Sequence, residues 1–307
     1  LGIDIGGTNI KIGLVDFKGK LIGFREKPTQ SEAGFRAVMD NLVYLIKEIK
    51  RDYLRIKPLG LGVGLPGWVV NTSGTVFWSP NLRWTSQPFS KELSQEVSLP
   101  VLIENDASLA ALGEHWKGSG GKSKVMLMLT LGTGVGAGLI VDGSIYNGAS
   151  GMGIEAGHLA LNPIGPVCSC GGRGCLESYT SVRGMLSLAK ANFMEFPEAI
   201  NADSLTIQEL FSESYSNYTF IKKTIEQITD YLAYALVNLI LVVDPDKIII
   251  GGGVAEIGQV LLSPIRKKIA CSLERFPNRS ISLTSAALGN KAGVIGAAYQ
   301  VFKNVKD

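Results

Sequence analysis

The hydrophobic positions of this chain fall into short apolar runs and longer helical repeats, and glycine turns separate many of them. Leu1-Gly-Ile-Asp-Ile5 is an apolar run that passes directly into Gly6-Gly7-Thr8, the pattern of a buried strand ending in a tight turn. Ile10 to Asp16 and the stretch through Phe24, divided by a turn at Phe17-Lys-Gly-Lys20, extend it into an antiparallel meander. From Ser31 to about Tyr53 the residues Phe35, Val38, Met39, Leu42, Leu45, Ile46 and Ile49 recur at helical spacing, which predicts an amphipathic helix covering the sheet. Leu59 to Gly67 reads as a further strand ending in a loop. The segment from Gly67 to Gln87 reads as loop-rich, and Trp68, Trp78 and Trp84 within it either line a cleft or cover the edge of the core. Val101 to Ile103 is a short strand leading through Glu104-Asn105-Asp106 into a helix from Ala107 to about Trp116.

The opening module then returns. Val125 to Leu131 is an apolar strand, Gly132-Thr133-Gly134 a glycine turn, and the run to Val141-Asp142 a second strand entering a hairpin, the same order as at residues 1 to 20. Such a duplication predicts two domains of one design. Helical patterns follow over Ser181 to Asn192, Thr206 to Ser214 and about Phe220 to Val243, the last stopped by Asp244-Pro245. Lys247 to Ile250 is a buried strand that opens into Gly251-Gly252-Gly253, and the small apolar residues from Ala286 to Val301 close the chain as a helix. Domain boundaries follow at 1–117, with a helix at about 288–305 packing back on that part, and at 118–287.

Composition narrows the class. A chain of 307 residues, 46% hydrophobic and 19% charged, describes a well-buried globular protein of about two domains. A net charge of +3 leaves no basic stripe for nucleic acid, and no apolar run approaches the ~20 residues of a bilayer span. The first residues lack the basic and apolar regions of a signal peptide, and the cysteine usage fits a reducing compartment, so a cytoplasmic protein without nucleic-acid or membrane partners is expected.

Chemistry concentrates between Glu155 and Glu177. His158, Cys168, Cys170 and Cys175 supply one imidazole and three thiolates, the ligand set of a closed structural zinc site with no position left for water. A disulfide suits a Cys-x-Cys pair with an odd third thiol poorly. Glu155 and Glu177 bracket the loop, which suggests that it is rigidified to hold a ligand. Asp4 lies in an apolar strand, where a carboxylate is costly unless it faces a cation or donors. Glycine turns rich in backbone N–H groups suit phosphates, and two in matched settings are stronger evidence than one. Asn105-Asp106 stands at the carboxyl end of a strand, where open α/β sheets place ligands, although Asp106 also suits an N-cap. His115, late in its helix, has no ligand-type cluster near it in sequence and reads as a surface or helix-end residue.

Taken together, Asp4-Ile-Gly-Gly-Thr-Asn9, Leu131 to Gly138, Glu155-Ala-Gly-His158, Cys168 to Glu177 and Gly251 to Gly253 resemble the ROK family of repressors, open reading frames and sugar kinases over essentially the whole chain. The resemblance implies an α/β protein with the two-domain actin-like ATPase (ribonuclease-H-like) fold and a central cleft. Its implied activity is ATP-dependent phosphorylation of a hexose, glucose to glucose 6-phosphate, with N-acetylmannosamine, N-acetylglucosamine or fructose as alternative acceptors. It further implies that Asp4, Gly6, Gly7, Thr8, Asn9 and Lys11 serve the phosphates and magnesium of ATP, with Gly132, Thr133 and Gly134 as the second phosphate loop and Gly251, Gly252 and Gly253 beside adenosine. Asn105, Asp106, Glu155, His158 and Glu177 correspond to sugar-binding positions, Asp106 being the catalytic base, and Gly67 and Asn81 lie near further sugar contacts. His158 then serves both zinc and sugar. Repressor members place a winged-helix domain ahead of the first phosphate loop, and its absence here favours a kinase over a non-catalytic sugar sensor. A homodimer or homotetramer is implied as well.

Overall fold

The computed structural model describes residues 1–195, 202–276 and 279–305. Contacts divide the chain into two compact units, one of residues 1–126, 138–154 and 287–307, the other of residues 127–137 and 155–286.

In the first unit, β1 (Gly2–Ile5), β2 (Asn9–Val15) and β3 (Leu21–Pro28) form the meander, and α1 (Gly34–Asp52) buries Val38, Met39, Leu42, Leu45, Ile46 and Ile49, the stripe read from the sequence. The strand β4 (Leu61–Leu65) lies parallel to β1. The Gly67 to Gln87 segment departs from expectation. It forms a three-stranded antiparallel sheet of β5 (Trp68–Val70), β6 (Thr75–Ser79) and β7 (Trp84–Gln87), short strands whose alternation a register shift at Trp68/Val69 interrupts. Trp84 is buried and edges against Phe35, whereas Trp68 and Trp78 pack together with centroids 5.1 Å apart and remain 37% exposed. After α2 (Phe89–Val97), β8 (Val101–Asn105) completes the order β3-β2-β1-β4-β8 and delivers the chain into α3 (Asp106–Lys117).

A second five-stranded sheet contains β9 (Val125–Leu131), β10 (Val135–Val141) and the short β11 (Ser144–Ile145). The helices α4 (Glu177–Thr180) and α5 (Val182–Glu195) follow the zinc loop. Thr206 to Ser214 is not one helix. A capping box between Thr206 and Glu209 starts the single turn α6 (Ile207–Leu210), and the chain then breaks into a 3₁₀ turn at Glu213–Tyr215. The helix α7 (Thr219–Val243) alone among the described residues is long and apolar enough to span a membrane, but Phe220, Ile221, Ile228, Leu232, Leu236 and Ile240 are buried in the protein. Its neighbours β12 (Lys247–Gly251), α8 (Gln259–Ser272) and β13 (Ser282–Ser285) complete the order β11-β10-β9-β12-β13.

The closing helix α9 (Ala292–Val305) begins six residues later than its apolar pattern suggests. Ala286 still donates its N–H to Ile250 as an extension of β13, and the amides of Ala287 and Leu288 donate to the buried Glu114 carboxylate at 3.0 and 2.7 Å. A 3₁₀ turn, Gly289–Lys291, then separates this extended segment from the helix. The helix packs on β1, β4 and α3 through glycine. A Cβ on Gly2 would lie 1.9 Å from the Val294 carbonyl oxygen, one on Gly62 1.9 Å from that of Ala297, and one on Gly296 1.8 Å from that of Leu109. Gly296→Val is therefore expected to destabilise the protein by about 3 kcal/mol, as overpacking that backbone cannot relieve does. Urea unfolding of the variant checks this.

Candidate active site

In the first unit the turn after β1 is closed by Gly6 N–H to Asn9 O at 2.9 Å and buttressed by Thr29, whose hydroxyl donates to Gly6 O at 2.6 Å and whose N–H donates to Thr8 O. Thr8 is exposed. Asn9 turns its amide to Glu26 at 2.7 Å, so its side chain is committed to the sheet edge. Asp4 meets Lys11 Nζ at 3.7 Å. Burial pushes the Asp4 carboxyl above its usual range, with Lys11 opposing and Glu26 reinforcing that shift. A Cβ on Gly7 would touch Asn81 at 3.4 Å, which sets Asn81 beside this glycine turn.

Asn105 and Asp106 divide their work. Asn105 is the N-cap of α3: its Oδ1 accepts from the N–H groups of Ala107 and Ser108, and its amide nitrogen donates to Gly67 O at 3.3 Å. Capping thus belongs to Asn105. Asp106, half-buried in the first turn, has Oδ1 on the Ala107 N–H at 2.8 Å, at a helix end whose dipole favours negative charge. Upstream, the buried Glu104 holds this end of β8 in place. Its Oε1 accepts from Asn105 N–H at 2.9 Å, and Oε2 accepts from the side chains of Asn147 at 2.7 Å and Asn71 at 3.2 Å. Burial pushes the Glu104 carboxyl upward, against the pull of those three donors. The sequence signal for Glu104 was a carboxylate inside an apolar strand, the same signal that singled out Asp4.

In the second unit the turn Gly132 to Gly134 is held by Val182 N–H to Gly132 O at 2.9 Å, and a Cβ on Gly132 would meet only open space. Gly252, at φ 79°, presses on β9, where a Cβ would fall 2.2 Å from Leu131 O, and a Cβ on Gly251 would strike Met128. Of the three consecutive glycines, only Gly253 faces open space. Beside Thr133 opens a cavity of about 490 Å³ walled by Val182, Leu186 and Leu205 and carrying Arg183 and Lys190. Sequence reading missed these two cations because they lie on an amphipathic helix, where a charged residue is ordinary.

His158, Cys168, Cys170 and Cys175 bring their ligand atoms within 4.8 Å of one another. Cys170 Sγ to Cys175 Sγ is 3.8 Å and Cys168 Sγ to His158 Nδ1 is 3.7 Å. A zinc tetrahedron with bonds of about 2.3 Å has edges of about 3.8 Å, so the set fits structural zinc, with Nδ1 as the ligating nitrogen. Without metal, burial opposes ionisation of Cys168, but hydrogen bonds from the Cys170 N–H and thiol, His158 and Cys175 outweigh it and bring the thiol down to about 7. Burial and the neighbouring sulfurs push Cys175 up to about 12. Metal binding has to displace the protons that remain on the sulfurs.

The loop is joined to the phosphate turn at one residue. Glu177 Oε2 accepts from Val135 N–H at 2.9 Å and Oε1 from Ser169 Oγ at 2.9 Å, while a Cβ on Gly157 would sit 2.0 Å from Val135 O. Burial pushes the Glu155 carboxyl upward, with His158 opposing and Glu177 adding to the shift. The other histidine, His115, is half-buried and bonds Ser123 O through Nε2 at 3.0 Å, a structural position more enclosed than the sequence suggests.

Two strand-turn-strand modules with glycine turns, set in five-stranded mixed sheets, define a protein of the actin-like ATPase class. Within that class the chain belongs to the ROK family, whose pattern matches residues 1–304. It is 36% identical to a glucokinase from Halalkalibacterium halodurans over 98% of this chain and 94% of that one. A ROK family glucokinase from Streptomyces griseus, solved in complex with glucose and AMPPNP, superposes with a TM-score of 0.82 at 30% identity, covering 98% of each chain. A xylose repressor from Caldicellulosiruptor bescii is 31% identical over 99% of this chain and 78% of the repressor.

Proposed function

We propose that the chain transfers the γ-phosphoryl group of ATP to the 6-hydroxyl of glucose, with Asp106 as general base. The observation that carries this reading is the placement of Asp106: a half-buried carboxylate in the first turn of α3, directly after the carboxyl end of β8 and beside Asn105, which caps the helix. The relatives named as glucokinases, and the neighbour that binds glucose and AMPPNP, supply the substrates for it.

In the reaction, the sugar oxygen bonds to the γ-phosphorus as the bond to the ADP oxygen breaks, and Asp106 takes the hydroxyl proton. Catalysis rests on placement and charge, so the turns Gly6 to Asn9 and Gly132 to Gly134 serve by offering N–H groups to the phosphates. Lys11 adds a positive charge at the end of the first turn, and Arg183, beside the Lys190–Asp203 ion pair, suits a nucleotide at Thr133. Magnesium, bound with ATP and oriented by Asp4, would neutralise phosphate charge. Glu155, Glu177 and the free Nε2 of His158 accept or donate hydrogen bonds to sugar hydroxyls. A cluster of three thiols suits a reducing compartment, which supports a cytoplasmic enzyme, and assembly as a homodimer or homotetramer is part of the same reading.

The repressor relative raises the rival reading, a sugar sensor without catalysis. Against it stand Asp106 and both open glycine turns, which a sensor has no need to keep. A coupled ADP-release assay over glucose, fructose, mannose, N-acetylglucosamine and N-acetylmannosamine tests both. Expected is a kcat/KM for glucose about tenfold or more above the others, the discrimination that pocket contacts at one ring position supply. Preference for an N-acetylated sugar would reassign the substrate, and ADP release with none of them would favour the sensor.

A further inference from the structure

A cavity of about 200 Å³ in the first unit takes no part in the chemistry above. Glu104, Asn147, Gln300 and Lys303, together with Asn71 and Asn304, supply its polar lining, and Leu112 and Ile145 its apolar wall. It lies away from the phosphate turn: Gly293, at the start of α9, abuts the Asp4 carboxylate, whereas Gln300 and Lys303 follow roughly 10 and 15 Å further along the helix at 1.5 Å per residue. We propose that this cavity is a second ligand site, for a small neutral polyhydroxylated molecule.

Two polar side chains of the lining hold buried acceptors. Asn147 Oδ1 and Gln300 Oε1 are buried without a hydrogen-bond partner, a costly state for a polar atom. The Asn147 amide nitrogen donates to Glu104 Oε2 at 2.7 Å, which fixes the amide so that Oδ1 is the end left over. Charge then selects the ligand. Lys303, held by Gly143 O at 2.9 Å and Ser144 Oγ at 2.7 Å, keeps an ammonium at the cavity and disfavours a cation. Glu104 keeps a carboxylate there and disfavours an anion. Hydroxyl groups suit this mixed lining, since each can both donate and accept. Leu112 and Ile145 suit the C–H face of a carbon chain, and the volume equals roughly six or seven waters, room for a molecule of four to six carbons.

Glu104 connects the cavity to the catalytic end of β8, since its Oε1 accepts the Asn105 N–H next to Asp106. Occupancy is therefore expected to register at Asn105. Erythritol, a four-carbon polyol, is titrated into the ¹⁵N-labelled full chain, reading the side-chain amide signals of Asn147 and Gln300 and the backbone amide of Asn105. The expected result is a saturable shift of all three with a millimolar Kd. Gln300→Leu, which leaves the bonds of Glu104 intact, should weaken binding about fivefold or more. Ile145→Phe, which fills the cavity, should abolish it and serves if the first variant folds poorly. Shifts that do not saturate, that are equal in the folded variants, or that appear only between Glu155 and Glu177 would overturn the proposal and leave the cavity to water. The readout is binding, so it stands or falls independently of Asp106 as base.

Discussion

Asp106→Asn is expected to lower kcat roughly a hundredfold or more while glucose affinity changes by less than about threefold, the signature of a lost general base. The substitution is nearly isosteric. An asparagine oxygen can keep the 2.8 Å contact with the Ala107 N–H, and Asn105 continues to cap α3, so neither the helix nor the end of β8 should move. What disappears is the capacity to accept a proton. Steady-state kinetics with isothermal titration of glucose separates the two quantities, and an unchanged thermal midpoint excludes a folding defect. Near-normal turnover would remove Asp106 from the role of base.

Loss of the metal cluster should act on the other substrate face. Cys175→Ser, or extraction of zinc with a strong chelator, is expected to weaken glucose binding about tenfold or more and nucleotide binding by less, because supporting groups around a metal site typically carry effects of that size. The reason is local. Cys175 is buried, and two residues later Glu177 opens α4 with both carboxylate oxygens committed, one to Ser169 of the loop and one to Val135 after the phosphate turn. Release of the loop frees Glu177 and His158 first. The tie at Val135 then passes a smaller disturbance to Gly134. Titration calorimetry on metal-loaded and metal-free protein, with zinc content measured in parallel, gives both affinities. If both stay unchanged, the cluster is a remote staple.

The parts of the molecule visible in the sequence are those whose partners lie close along the chain. Three sulfurs and an imidazole within a short loop, or glycines consecutive in a turn, define their own geometry, and the helical stripe of α1 needs only a sheet beneath it. The parts that were hidden depend on distant partners. No local pattern indicates that Glu114 accepts the amides of Ala287 and Leu288, 173 and 174 residues away, yet that contact ties the segment before α9 to α3. The small sheet β5 to β7 was obscured by strands of three to five residues and a register shift, too short for alternation to declare itself. Of Gly251 to Gly253, two are glycine because strand and turn pack against them, and only Gly253 presents an open face. Asn105 likewise carries a cap in addition to any contact with sugar.

The packing of α9 onto β1 and β4 has a consequence for biosynthesis. The middle strands of the first unit emerge early from a ribosome, but the helix that covers them, pressed close at Gly2 and Gly62, starts only at Ala292. The usual order, in which an N-terminal domain folds while the rest is still being translated, is therefore closed to this unit. Its apolar strands must wait until residues 287–305 have been made, and during that interval the second unit can fold first.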